Sequence, residues 1–183
     1  MLDKQLARHL ESIRHQHELS LAEVAEASGV SRATLSRIER AETSPTASVL
    51  GRLCSTYGIT MSRLMMKVES ASPRHLLFAD AKTWEDPETG YKRTVISPPT
   101  HDYAIEIAHG ELPPGADVRY QKPPQQGLEQ HLVLISGALN VSFDGADYSM
   151  SRLDCVALKL RGRSRFRNLG EVPASYLIIN GQA

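Results

Sequence analysis

The stretch Ser20 to Glu39, SLAEVAEASGVSRATLSRIE, constrains this chain more than any other, because it reads as two short helices meeting at a sharp corner. Ser20 can cap a helix with its hydroxyl while Glu23, three residues on, reaches back to the Ser20 N–H in a reciprocal capping box. Leu21, Val24 and Ala25 then share one helical face, and Gly29 stands where a left-handed residue ends a helix. Val30 is apolar and placed to plug the corner, Ser31 can cap the next helix, and Leu35 and Ile38 give that helix a buried side. Its other face carries Arg32, Thr34, Ser36, Arg37 and Arg40, whose side chains can donate to base edges and phosphates, and Ala33 and Thr34 offer methyl groups to thymine. An ordinary helical hairpin would share the caps and the amphipathic faces. The small residue Ala25, the glycine corner, Val30 and the arginine-bearing second helix in one register favour a helix-turn-helix instead.

The match extends beyond pattern. Residues 1–67, through LSLAEVAEASGVSRATLSRIERAETSPTASVLGRLCSTYGITMSRLM, resemble the Xre or lambda-repressor-like DNA-binding domain. The resemblance implies five helices: one through LDKQLARHLESIRHQH with Leu6, Leu10 and Ile13 on one side, the two at the corner, a fourth after Pro45 and Thr46, and a fifth after Thr60. Ser20, Ser31, Arg32, Ala33, Thr34, Ser36, Arg37 and Arg40 are the candidate DNA-binding residues. Ala41 departs from the resemblance, because a glycine often follows Ile-Glu-Arg there, so the exit of the third helix is the weak point of the match.

The chain has 183 residues, so something of respectable size follows the head. Formal net charge is zero, with nine basic against seven acidic residues in 1–67, so DNA affinity must come from a focused patch rather than bulk charge. The two cysteines, Cys54 and Cys155, suggest neither a disulfide framework nor a zinc site. Neither a signal peptide nor a run of about 18 apolar residues occurs, which predicts a soluble, cytoplasmic protein with no membrane partner. At VESASPRH the helical periodicity ends, and Ser70, Ser72 and Pro73 read as a linker. Short strands follow: RTVIS, YAIEIA, HLVLIS, ALNVSF, CVALKL, RFRN and SYLII, separated by Pro98-Pro99, Pro113-Pro114-Gly115, Pro123-Pro124 and Asp144-Gly145. The expected organisation is a multidomain α plus all-β chain, with a DNA-binding domain over 1–68, a linker over 69–77 and a strand-built domain over 78–183.

LPPGADVR, EQHLVLISGALNVSFDG and RFRNLGEVPASYLII resemble the cupin barrel, a small double-stranded β-helix, with Gly115 and Gly137 at the ends of its first block and Asp154 and Asn168 in its second. The resemblance implies a site for a metal held by imidazoles and a carboxylate. Here KPPQQ replaces the His-x-His segment, Gln130 stands at the glutamate position and Ser164 at the last histidine. No metal, cofactor or catalytic residue is therefore expected. Glu129 and His131 flank Gln130 but point to the opposite strand face, unless the register slips by one. A metal-free pocket could still take a small effector on Gln130, Ser164 and Asn168 among Leu132, Leu134 and Phe166, although a slightly hydrated core has the same makeup. Arg161, Arg163, Arg165 and Arg167 alternate with Gly162, Ser164, Phe166 and Asn168, so with Phe166 inside they should face out.

The first reading is a sequence-specific transcriptional regulator that binds double-stranded DNA as a homodimer on a near-palindromic operator, under the control of a small molecule. The alternatives are a metal-dependent cupin enzyme or metal sensor fused to a DNA-binding head, and a constitutive repressor or antitoxin-like protein whose barrel only dimerises.

Overall fold

The computed structural model describes residues 2–65, 75–97 and 104–181. Five helices come first: α1 (Leu2–Gln16), α2 (Leu21–Ser28), α3 (Arg32–Glu39), α4 (Ala47–Tyr57) and α5 (Met61–Met65). The capping box at Ser20 forms as its sequence requires: the Glu23 N–H donates to Ser20 Oγ at 3.3 Å and the Ser20 N–H to Glu23 Oε2 at 2.7 Å. Gly29 ends α2 at φ 66°. Buried Ser28 completes the corner by donating to the Val24 carbonyl at 2.6 Å while accepting from the Val30 N–H at 3.2 Å. Leu10, Val24, Leu35, Ile38, Leu50 and Leu64 are almost fully buried together, each worth about 1.5–3 kcal/mol on removal from water.

The helix exit at Ala41 is resolved by the backbone. Ala41 sits at φ 56°, its N–H bonds the Ile38 carbonyl, and the Glu42 N–H bonds the Arg37 carbonyl at 2.9 Å. That double closure is the Schellman motif, made here with alanine in the left-handed position glycine would occupy without strain.

Most of the expected linker, including Ser70, Ser72 and Pro73, lies outside the described residues, as do Pro98, Pro99 and Tyr103. Among the described residues ten strands follow: β1 (Thr83–Glu85), β2 (Lys92–Val95), β3 (Ile105–Leu112), β4 (Asp117–Tyr120), β5 (Leu128–Ser136), β6 (Leu139–Phe143), β7 (Ala146–Met150), β8 (Cys155–Leu160), β9 (Ser164–Arg167) and β10 (Ala174–Gly181). They form a six-stranded sheet, β1-β2-β3-β10-β5-β8, and a four-stranded sheet, β4-β9-β6-β7, with a common core. Period-two burial sets which residues face inward: Ala174, Tyr176, Ile178 and Asn180 on β10, and Leu128, Gln130, Leu132 and Leu134 on β5. His131 faces out, so no register slip has occurred. Three strands carry no clear signal in the sequence. β1 has three residues, β4 has four, and β7 is an edge strand whose first four residues are all exposed.

The arginines of β9 face outward as expected, and Arg165 has a specific partner. Asp117 accepts from Arg165 Nε at 2.8 Å and from Arg119 Nη2 at 2.7 Å. Arg165 first, then Arg119, hold the Asp117 carboxyl well below the usual carboxylate range. The stability this pair adds is fully present above the unfolded carboxyl pKa, about 3.9, and is lost as pH falls towards the lower folded value. Asp117→Asn should therefore lower the urea midpoint at pH 7 and reduce the further loss seen on going to pH 3. An unchanged acid limb in the variant would remove Asp117 from the account.

Candidate nucleic-acid interface and barrel cavity

The outward side of α3 carries Arg32, Ala33, Arg37 and Arg40 exposed, with Thr34 and Ser36 half-buried beside them. The hydroxyls are partly committed. Ser31 Oγ accepts from the Thr34 N–H at 3.1 Å and lies 2.8 Å from Thr34 Oγ1, while Ser20 is held in the α2 cap. Arg40 pairs with Glu42 at 2.9 Å. The side chains of Arg32 and Arg37 make no hydrogen bond or ion pair among the described residues. The helix itself is held from behind: Arg14 donates to both Glu39 oxygens at 2.8 and 2.9 Å and to the Leu19 carbonyl at 3.0 Å. From α4, Arg52 donates to the Gly29 carbonyl at 2.9 Å, fixing the corner.

A cavity of about 60 Å³ opens inside the strand domain, lined by aromatic and aliphatic side chains and a few polar groups. Of the six residues expected there, Gln130, Ser164 and Phe166 line it. Leu132 and Leu134 are fully buried but belong to the core rather than to this cavity, and Asn168 is also absent from its wall. The Asn168 side chain is spent on the chain: Nδ2 donates to the Leu112 and Val172 carbonyls at 2.9 and 2.8 Å, and Oδ1 accepts from the Gly170 N–H at 2.9 Å. Gln130 is joined instead by Asn180, to whose Oδ1 it donates at 2.9 Å. Phe166 stacks on Tyr176 and meets Tyr120 edge-on.

Sequence reasoning missed Tyr91, Arg93, Tyr120 and Tyr176, which line the same space. It also missed that the head contributes Gly51 and Cys54 from α4 and Met61 from α5. Burial pushes the Cys54 thiol up to about 12, so it packs as a small apolar group rather than as a nucleophile. Arg93, 6% exposed, reaches the head, its Nη2 donating to Ser62 Oγ on α5 at 3.3 Å. Burial works against its charge while Tyr91, through a side-chain hydrogen bond, favours it, and the balance is upward, so the guanidinium stays ionised.

The donor set does not suit the metal that a cupin barrel implies. Among the described residues, no three His, Cys, Asp or Glu side chains are grouped closely enough to hold an ion. Gln130 and Ser164, at the ligand positions, offer an amide and a hydroxyl, which bind borderline metals poorly beside imidazole and carboxylate. His131 lies on the outer face, 3.9 Å from the Cys155 sulfur.

A helix-turn-helix domain model matches residues 5–64. The crystal structure of an HTH_3 family transcriptional regulator from Vibrio cholerae shares the fold over 100% of this chain and 98% of its own, with a TM-score of 0.81 at 22% identity. A cupin-2 domain protein from Rhodospirillum rubrum, Rru_A2000, has a TM-score of 0.50 at 12% identity over 63% of this chain and 78% of its own. The chain is a DNA-binding transcriptional regulator of the helix-turn-helix type whose second domain has the cupin fold. Within that class it is similar to the HTH-type transcriptional regulator SutR of Escherichia coli (strain K12), at 27% identity over 166 residues, 91% of this chain and 88% of that protein. The fold is also shared by hydroxypropylphosphonic acid epoxidase from S. wedmorenis, with a TM-score of 0.50 at 11% identity over 97% of each chain. Architecture alone therefore does not separate regulation from catalysis, and the residues must. No helix among the described residues is long and apolar enough to cross a membrane.

Proposed function

We propose that the chain is a cytoplasmic, effector-controlled regulator that acts as a homodimer on a near-palindromic operator and performs no catalysis. The division we carry forward is a DNA-binding domain over 1–68, a linker over 69–77 and a cupin domain over 78–183. The observation that carries the DNA-reading part is the exposed face of α3, where Arg32 and Arg37 stand without a hydrogen-bond or ion-pair partner among the described residues. Those two arginines read bases. Arg40 contacts phosphate on releasing Glu42, and Ser20, Ser31, Ala33, Thr34 and Ser36 position the helix or touch the backbone and thymine methyls. One such head covers too little DNA to be selective, so two are needed, on half-sites about 34–36 Å apart or a multiple of it. Gln130, Ser164 and Phe166 form the part of the expected effector site supported by their shared cavity.

The test uses an operator selected from a randomised DNA pool. Arg37→Ala should lose about 1–3 kcal/mol at that operator and little at random DNA. Arg40→Ala should weaken both alike and reduce the salt slope by about 1. Equal losses on both DNAs for both variants would refute the assignment of roles.

The epoxidase fold match favours a second reading, an enzyme carrying a DNA-binding head. Against it stands the absence of imidazole and carboxylate donors from the cavity lining among the described residues. Stoichiometric iron, manganese, nickel or zinc in purified protein would reverse that judgement.

A further inference from the structure

Among the described residues, the cavity holds a cation and is lined by no carboxylate. Arg93 projects into it from β2, where the inner row runs Arg93, Gly110, Tyr176 across paired strands. Gly110 has no Cβ because the Tyr176 ring occupies that space; a Cβ there would lie 2.6 Å from Tyr176 Cζ. Arg93 is 6% exposed, its Nε is buried without a partner among the described residues, its Nη2 donates to Ser62 Oγ at 3.3 Å, and its one other side-chain partner there is the neutral Tyr91 hydroxyl. Among the described residues no Asp or Glu lines the cavity, and its other charged residue there, Lys122 at the rim, is also basic. The carboxylates bearing on the cavity walls are committed elsewhere. Glu106 bonds Thr60 Oγ1 and, at 2.6 Å, Arg63 Nε; Asp86 accepts from the Glu88 N–H and Thr89 Oγ1 at 3.1 and 2.7 Å.

A buried cation with no counter-ion is costly, and leaving donors unpaired adds to the cost. Chains keep such a group where a ligand supplies the missing charge. A volume of about 60 Å³ accommodates about four or five waters or one ligand of a similar number of heavy atoms. The aromatic walls of Phe166, Tyr120 and Tyr176 favour an anion with a short apolar body over a fully hydrated inorganic one.

We propose that this cavity binds a small organic carboxylate, with Arg93 as its counter-ion and Gln130, Asn180 and Ser164 as the neutral groups that select its other end. The proposal rests on the effector reading above and gives it a ligand class and a route to the DNA. The ligand's remaining wall is the head itself: Cys54, Met61 and Gly51, the last approached so closely that a Cβ would lie 2.5 Å from Tyr120 Cδ1. A carboxylate that engages Arg93 competes with Ser62 on α5, so occupancy changes how the head is seated.

The experiment follows melting of the full chain with a panel of two- to five-carbon monocarboxylates, their neutral amides, phosphate and sulfate, in wild type, Arg93→Met and Arg93→Lys. At least one carboxylate should raise the wild-type melting temperature by about 5–10 °C at a hundredfold excess over its Kd, and its amide should not. Arg93→Met should abolish the response yet melt no lower than unliganded wild type, because it removes a buried charge that faces no carboxylate among the described residues. Arg93→Lys should respond weakly, since it keeps the charge without the guanidinium fork. The active carboxylate should change operator affinity in wild type by about 5- to 150-fold. A carboxylate response that survives in Arg93→Met, no wild-type response to any panel member, or a stronger response to phosphate or sulfate would each overturn the proposal. So would an Arg93→Met variant that melts several degrees low, which is the mark of a purely structural arginine. If a neutral or cationic compound altered operator affinity while the carboxylates did not, the carboxylate site would fall and effector control would stand.

Discussion

Glu39→Ala should destabilise the helical head by about 3–5 kcal/mol, the cost of removing one partner from a buried ion pair. Arg14 and Glu39 side chains are both only 10% exposed, and the pair is bidentate. Without Glu39, the guanidinium is left under α3 with one carbonyl and the neighbouring His15 ring for company. The pair joins the end of α1 to the end of α3, so its loss also frees the helix that presents Arg32 and Arg37. Operator affinity should fall even at temperatures where the barrel remains folded. The double variant Arg14→Met, Glu39→Leu should recover most of the stability, because two apolar side chains carry no desolvation penalty. Denaturant midpoints of the three variants check this. A loss under about 1 kcal/mol in Glu39→Ala would mean that the pair is solvated and that apolar packing alone sets the angle of α3.

The head was legible from its sequence because its signals are local. Ser20 with Glu23, Gly29, Ser31 and Thr46 act within one turn of themselves, and each forms the cap its residue type implies. The barrel was legible where inward and outward residues alternate, as on β5 and β10, and opaque at β1, β4 and β7, which are short or lie at an edge. The cavity was half legible. Counting along the cupin resemblance put Gln130 and Ser164 in place, yet the same counting put Asn168 there, and a three-bond turn claims that side chain. Arg93 was invisible, because a lone arginine in RTVIS gives no sign that its strand faces inward beside a glycine. Nor could periodicity reveal that α4 and α5 close the barrel. That contact joins residues far apart in the chain, Gly51 with Tyr120 and Ser62 with Arg93, and depends on how two separately patterned units pack.

Gly137 should tolerate alanine far worse than Gly145, although both stand at φ 79°. At Gly145, in the β6–β7 hairpin, Asp144 and Gly145 both have positive φ, as a type I′ turn requires, and nothing lies within 4 Å of an added Cβ. Gly145→Ala therefore carries only backbone strain, about 1–2 kcal/mol. At Gly137, between β5 and β6, the added Cβ would sit 2.5 Å from the Pro173 carbonyl oxygen and 2.9 Å from Ala174 Cα. These are backbone atoms at the start of β10, the strand that pairs with both β3 and β5, so no side-chain rotation can relieve the clash. Gly137→Ala should cost about 3 kcal/mol or more, a fall of roughly 6–12 °C in melting temperature for a chain of this size. Subtracting the Gly145→Ala loss removes the strain common to both positions and leaves the steric term alone. Equal losses would show that β10 can shift away from the β5–β6 turn, and the inner face that carries Tyr176 and Asn180 would then be adjustable rather than rigid.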